Sequence, residues 1–279
     1  MTAQLTEHRR HPRADSAPTS AAEVLAAARR LAPAVAARAP EIEAARRVPR
    51  DLLDELVQAG CFRFLLPASH GGCDARFDQA LDLFQVLAEA DASVGWSVMI
   101  GAGGWCDLAG LPRATFDELY PADRDTITAG AFNPSGSIVP ATGGYRGDGR
   151  WGVVRGCEHA DWVYGNCLAG FVDGAPQLRL AVFRPDQVTI EDTWRVTGMC
   201  GTGSHHVRVD NVTVPEEWTT VPLSEDPCLD SPYVRVPLPP LLALAMAAVA
   251  LGIARGAVGD VRVLARDKVP MLAAQPLAT

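Results

Sequence analysis

The stretch 194-WRVTGMCGTGSHHVRVDNVTVP-215 brings a tryptophan, three glycines, several hydroxyls and two histidines up to a run of alternating valines. Val207 and Val209 alternate, and Val212 and Val214 alternate again out of phase. A bulge near Asp210-Asn211 would keep both pairs on one buried face of a strand. Ahead of that strand, glycine lets the backbone take positive φ or come close to a flat ligand, and the hydroxyls of Thr202 and Ser204 can present hydrogen bonds. An ordinary glycine-rich turn would use the same residues, so the rest of the chain has to decide between the two.

Working outward, the residues on the N-terminal side back to Thr126 have the same strand-like texture. Short apolar runs such as 127-ITAGAF-132, 161-DWVYGNCLAG-170 and 178-LRLAVF-183 are punctuated by 143-GGYRGDG-149 and 173-DGAP-176, which predicts an antiparallel β domain over 126–220. Before it, Ser20 with Glu23 forms a capping box ahead of Val24, Ala28, Leu31 and Val35, so a helix should start near residue 20 and end before Pro40. Pro49 should open a second helix that Gly60 stops, and 61-CFRFLLPASHGG-72 should be a connecting loop. Leu81, Phe84 and Leu87 mark a third helix, and 93-SVGWSVMIGAGGWCDLAG-110 a fourth whose glycines imply close packing. These helices make an N-terminal domain over 19–125, preceded by a flexible tail at 1–18. On the other side, the prolines of 221–240 form a connector, and one long helix runs from about Leu241 to Lys268 within 241–279. Its apolar N-terminal half calls for cover on several sides, from a partner chain or from residues outside this sequence.

Composition narrows the function. A formal net charge of -8 disfavours a phosphate backbone as partner, and the basic cluster 8-HRRHPR-13 precedes no apolar signal segment. The seven cysteines are odd in number and lack paired CxxC spacing, which argues against a disulfide framework or structural zinc and for a reducing, cytoplasmic setting. The run 241-LLALAMAAVALGIA-254 is shorter than the roughly 20 residues that span a bilayer, so no membrane is expected.

The obvious catalytic motifs fail. In 201-GTGSH-205 the residues do not make the G-x-S-x-G elbow of serine hydrolases, and a third dinucleotide-binding glycine would fall at His206, with a strand following instead of a helix. Cys157 with His159, or Cys200 with His205, has no second ligand pair at metal spacing; His159 and His206 read as structural histidines. Trp96, Trp105, Trp151, Trp162 and Trp194 read as core. The order of a helical domain, a glycine- and hydroxyl-rich β domain and a long helix, with no phosphate loop, leaves room for a planar cofactor between sheet and helices. Residues 132-FNPSG-136 and 202-TGS-204 could supply donors to its edge.

Taken in order, 66-LPASHGG-72, 91-DASVGWSVMIG-101, 126-TITAGAFNPSG-136, 143-GGYRGDGRWGVVRGCEHADW-162, 194-WRVTGMCGTGSHHVRVDNVTVP-215 and 251-LGIARGAVGDVRVLARDKVP-270 resemble the acyl-CoA dehydrogenase superfamily. The resemblance runs from about Pro49 onward and is closest to the two-component flavin-dependent hydroxylases. It implies an α+β multidomain fold: a helical domain, a middle antiparallel β-barrel and a C-terminal helical domain, here incomplete after its first helix. It further implies a flavin, FAD or FMN, used reduced and supplied by a separate flavin reductase, in a homo-oligomer acting on a small aromatic or polyketide-like molecule with O2. By motif position Phe132, Asn133, Ser135, Gly136, Arg155, Gly156, Thr202 and Ser204 would lie beside the flavin, with Trp96 and Met99 bounding the substrate pocket. Arg155 stands where the family usually has a small hydroxyl residue, and Gly103 and Gly104 where some hydroxylases have a histidine. The resemblance assigns no catalytic acid or base to this chain. An acyl-CoA dehydrogenase, or a non-catalytic binding or assembly protein, are the alternative readings.

Overall fold

The computed structural model describes residues 2–4, 11–12, 17–269 and 271. Helix α1 (Ala21–Ala37) opens on the predicted reciprocal cap: Ser20 Oγ accepts from the Glu23 N–H, and the Glu23 carboxylate accepts from the Ser20 N–H at 3.1 Å. Helix α2 (Ala39–Ala45) was not anticipated, because Pro40 was read only as a stop. Proline in a first turn gives up an N–H that would have no partner there, so the same residue that closes α1 also opens α2. Helix α3 (Arg50–Gln58) follows Pro49, and the loop after it contains two 3-10 turns.

Helices α4 (Phe77–Ala90) and α5 (Ala92–Leu108) are joined by Asp91, whose carboxylate accepts from the Val94 N–H at 2.9 Å and so caps α5. The two pack at backbone distance: a Cβ on Gly95 would stand 2.5 Å from the Ala88 Cβ. A short α6 (Arg113–Leu119), hidden in a polar stretch of sequence, completes this layer.

The strands, in chain order, are β1 (Thr2–Gln4), β2 (His11–Pro12), β3 (Arg124–Asp125), β4 (Thr128–Ala141), β5 (Gly144–Trp151), β6 (Trp162–Val172), β7 (Ala175–Phe183), β8 (Thr189–Glu191), β9 (His206–Val214) and β10 (Thr219–Thr220). The main sheet has the order β1-β8-β9-β5-β4-β6-β7-β10, and β2 pairs with β3 apart from it. Of the segment expected as a flexible tail, residues 2–4 and 11–12 form β1 and β2, with His11 buried; residues 1, 5–10 and 13–16 lie outside the described residues, as do residues 270 and 272–279 of the last segment. One expectation needs correction: the middle domain is mixed, not purely antiparallel, because β4 and β6 run parallel. Residues 152–161 carry the chain from β5 past β4 to its other edge, and a crossover of that kind yields a parallel pair.

The predicted bulge is present. Pairing of β5 with β9 shifts between Gly147 and Gly149, Asn211 takes φ +50°, and its N–H donates to the Asp148 carboxylate at 2.7 Å. Val207, Val209 and Val214 are buried as a result. Strand β6 is covered on both sides: Trp162 and Tyr164 pack toward the helices, and Val163 and Cys167 pack inside the sheet. That double cover explains its continuous apolar run.

After α7 (Pro232–Arg235) comes α8 (Leu238–Asp267), which lies on α4 through glycine. A Cβ on Gly252 would sit 2.5 Å from the Gln85 carbonyl oxygen, and one on Gly256 2.7 Å from that of Glu89. The side turned away stays open: Leu244, Leu251, Val258 and Val261 are each more than half exposed. The apolar run noted in the sequence understates this helix, for over Leu238–Arg266 it is long and apolar enough, by length and composition, to cross a membrane. Replacing Gly252 with valine is expected to lower stability by about 1–3 kcal/mol in denaturant unfolding, since the two backbones must separate. Gly259→Ala, at a position with nothing within 4 Å, should leave stability unchanged or raise it by up to about 1 kcal/mol; equal effects at the two sites would contradict this account of the packing.

Candidate functional site

Trp96, Met99, Gly103 and Asp107 follow one another at intervals of three or four residues, so they share one face of α5. That face looks toward Gly130–Asn133 of β4, the segment 152–155 after β5, Tyr164 of β6, Tyr233 of α7 and the first two turns of α8. Between them lies a cavity of about 450 Å³. Its size is that of a small-molecule site, and most of its walls are apolar. Helix α5 can come this close to the sheet because Gly104 has no side chain: a Cβ there would meet Thr128 Oγ1 at 2.2 Å.

The residues singled out from the sequence divide into two groups. Phe132, Asn133, Arg155 and Met99 line the cavity. Trp96 sits under Arg155, whose guanidinium lies 5.4 Å from the indole centroid. Gly156, at φ +68°, is on a small side pocket next to Arg155. Ser135 and Gly136 belong to the irregular stretch of β4 where the register with β6 jumps between Ala131 and Gly136. Ser135 Oγ accepts from the Asn133 side-chain amide at 2.7 Å. Gly136 faces the sheet interior, where a Cβ would stand 2.3 Å from the Trp151 ring.

Thr202 and Ser204 are buried and bond to each other at 2.8 Å, outside the cavity lining. Their loop holds the cavity wall from behind: the Thr202 carbonyl accepts the Gly156 N–H at 3.0 Å, and the His205 carbonyl accepts the Val154 N–H at 2.9 Å. His205 has a structural task, its Nδ1 accepting the N–H groups of Thr193 and Trp194 at 3.1 and 3.2 Å. The opening stretch thus has a structural task in this fold. Its glycines and hydroxyls fix the 152–156 segment, whose Val153 is held at φ +59°, a conformation a β-branched residue adopts only under constraint.

Two cavity residues escaped sequence reading, Asp107 and Tyr164. The Tyr164 hydroxyl donates to the Asp107 carboxylate. Burial raises Asp107 from the ordinary carboxylate range to about 7, against the lowering effect of that hydrogen bond. Tyr164 is pushed up as well, first by burial and then by the neighbouring carboxylate. The available signal was the helical spacing Met99, Gly103, Asp107, together with the alternation of Trp162 and Tyr164. At the other end, burial lowers the pKa of Arg155, and among the described residues no carboxylate is within ion-pair distance of it. The described residues hold no metal-ligand cluster, and all seven cysteines are free thiols.

Residues 19–109 match the family model for the acyl-CoA dehydrogenase N-terminal domain. The chain is 34% identical over 247 residues to the indole-3-acetate monooxygenase of Pseudomonas putida, a match that covers 87% of this chain and 63% of that protein. It is 34% identical over 189 residues to the oxygenase subunit of a flavin-dependent monooxygenase from Rhodococcus jostii, covering 66% of this chain and 48% of the relative. Among solved structures, the HsaA monooxygenase from M. tuberculosis superposes with a TM-score of 0.80 at 27% identity, covering 88% of this chain and 68% of that one. XiaF from Streptomyces, solved with FADH2 and glycerol, gives a TM-score of 0.83 at 26% identity over 92% of this chain and 66% of its own. Fold, family match and relatives agree that the chain belongs to the acyl-CoA dehydrogenase superfamily. The relatives it matches include indole-3-acetate monooxygenases and oxygenase subunits of flavin-dependent monooxygenases, and it spans less than two thirds of the length of the curated relatives it matches.

The raised pKa of Asp107 has a thermodynamic consequence. The folded state holds this proton more tightly than the unfolded chain, so the stability it lends is complete below about pH 4 and is lost as pH rises through about 7. Asp107→Asn is therefore expected to gain on the wild type between pH 5 and pH 8 by about 1–3 kcal/mol in denaturant unfolding. An equal difference at both pH values would contradict the assignment.

Proposed function

We propose that this chain belongs to the oxygenase component of a two-component monooxygenase, which binds reduced FMN or FAD made by a separate reductase and hydroxylates a small aromatic or polyketide-like molecule. The observation behind this reading is the cavity itself, an apolar slot at the junction of sheet and helices with polar groups only at a few points. Its residues suit a flavin ring. Phe132 and Val153, each 38% exposed, offer apolar surface to a flat ring, with Gly152 between sheet and cavity adding no side chain. Arg155 stands at the usual hydroxyl position, and its planar fork of N–H donors suits a carbonyl edge or the negative charge of a reduced ring. Asn133 could donate to the same edge.

Bound there, the flavin would supply two electrons and activate O2 for insertion of one oxygen atom into an electron-rich ring. The chain's own part is to hold ring and substrate and to keep water out. Met99, Leu241, Leu242 and Ala245 close the slot with apolar surface. The relatives named above, being monooxygenases, support this reading over an acyl-CoA dehydrogenase. The free thiols and the net charge of -8 support a reducing, cytoplasmic setting without nucleic acid. The open apolar side of α8 supports a homo-oligomer, in which protein and not lipid covers Leu244 and Leu251.

Anaerobic titration of the purified protein with reduced and oxidised FMN and FAD, followed by absorbance and fluorescence, tests the reading. The reduced form is expected to bind at least about tenfold more tightly than the oxidised form. Binding of neither form would contradict it.

A further inference from the structure

We infer that Asp107, held by Tyr164, reads the substrate: its carboxylate accepts a hydrogen bond from a hydroxyl or an N–H on the aromatic ring. The inference rests on the proposed function, in which the chain holds a flavin ring and an aromatic substrate, and it places the substrate at the Asp107 end of the slot.

The pair is constructed by the backbone on both sides. Gly130 of β4 and Tyr164 of β6 are register partners, and a Cβ on Gly130 would lie 2.1 Å from the Tyr164 ring. The ring can lie across β4 only because that position is glycine. It thereby brings its hydroxyl to Asp107, on the helix above. One turn before Asp107, Gly103 faces open space, with nothing within 4 Å of a Cβ built there. Any side chain at Gly103 would project into the volume next to the carboxylate.

The hydrogen-bond count of Asp107 is incomplete. A carboxylate offers about four lone-pair positions, and Tyr164 is its one hydrogen-bond donor among the described residues. The surface that Asp107 keeps faces this cavity and the groove beside it. Arg155 does not meet this demand: it stacks on Trp96, eleven residues and so about 16 Å of helix away. An acceptor on an apolar wall favours a ligand that brings a donor, because a capped ligand would leave the carboxylate desolvated without compensation. Tyr164 orients the carboxylate and is a positioning residue. Aromatic molecules with a ring O–H or N–H satisfy the pair, and their N- or O-methylated counterparts do not.

Calorimetric titration above the Asp107 pKa of about 7, where the group is a carboxylate, with indole and phenol against N-methylindole and anisole tests this, with reduced-flavin binding measured on the same samples. The wild type is expected to prefer the proton-bearing probes by about tenfold. In Asp107→Leu the preference should vanish while the methylated probes bind as before; Asp107→Asn, which retains an acceptor oxygen, should keep part of it, and Tyr164→Phe should weaken it. Circular dichroism identifies variants that fold. A wild type that binds reduced flavin without the preference, or a preference that survives in Asp107→Leu, overturns the inference and leaves the proposed function standing. A preference that is present and lost in Asp107→Leu, in a protein that binds no reduced flavin, supports the inference and overturns the proposed function.

Discussion

The structure depends on how closely helix α5 is held. Gly95 brings it to backbone distance from α4, and Gly104 brings it onto Thr128 of the sheet. Interiors packed at this density have little room to adjust, so the face left over, with Trp96, Met99, Gly103 and Asp107, has a fixed direction. Its Met99, Gly103 and Asp107 form one wall of the cavity. The opposite wall, at 152–155, is fixed by hydrogen bonds from the 199–205 loop, and α8 closes the open side through its glycine contacts with α4. The site is thus the gap between three elements, each held by backbone-level contact.

The charges of the cavity follow from that arrangement. Arg155 and Asp107 lie near opposite ends of the α5 face and do not neutralise one another. Arg155 is accommodated on the face of Trp96, and Asp107 through Tyr164 and a raised pKa. A slot with a cation at one end, a hydrogen-bond acceptor at the other and apolar walls between is polar only where a ligand can be oriented.

Local signals in the sequence were read where local physics decides. The capping box at Ser20 and Glu23 and the bulge at Asp210-Asn211 both have the chemistry their positions required, and the helical spacing of Leu81, Phe84 and Leu87 identified α4. Helix α2 was missed because one proline acts as a stop and a start within two residues. The parallel β4–β6 pair was missed because strand direction depends on the route of a crossover, which alternation does not encode. Phe132, Asn133, Arg155 and Met99, named from motif position, line the cavity. The tertiary fold turns Thr202 and Ser204 to the back of the wall, and it makes a pair of Asp107 and Tyr164, 57 residues apart. The glycines of 93–110 imply close packing, and Gly95 is such a contact; Gly252 and Gly256 of α8 are likewise places where two backbones touch.

The most direct measurement is an anaerobic crystal structure of the protein with reduced FMN or FAD. The account predicts the flavin ring in the α5-facing slot, against Phe132 and Val153, with Arg155 at its polar edge and the Asp107–Tyr164 pair left clear. A ring bound elsewhere, or a slot closed by Arg155 swung off Trp96 in the presence of saturating reduced flavin, would contradict it.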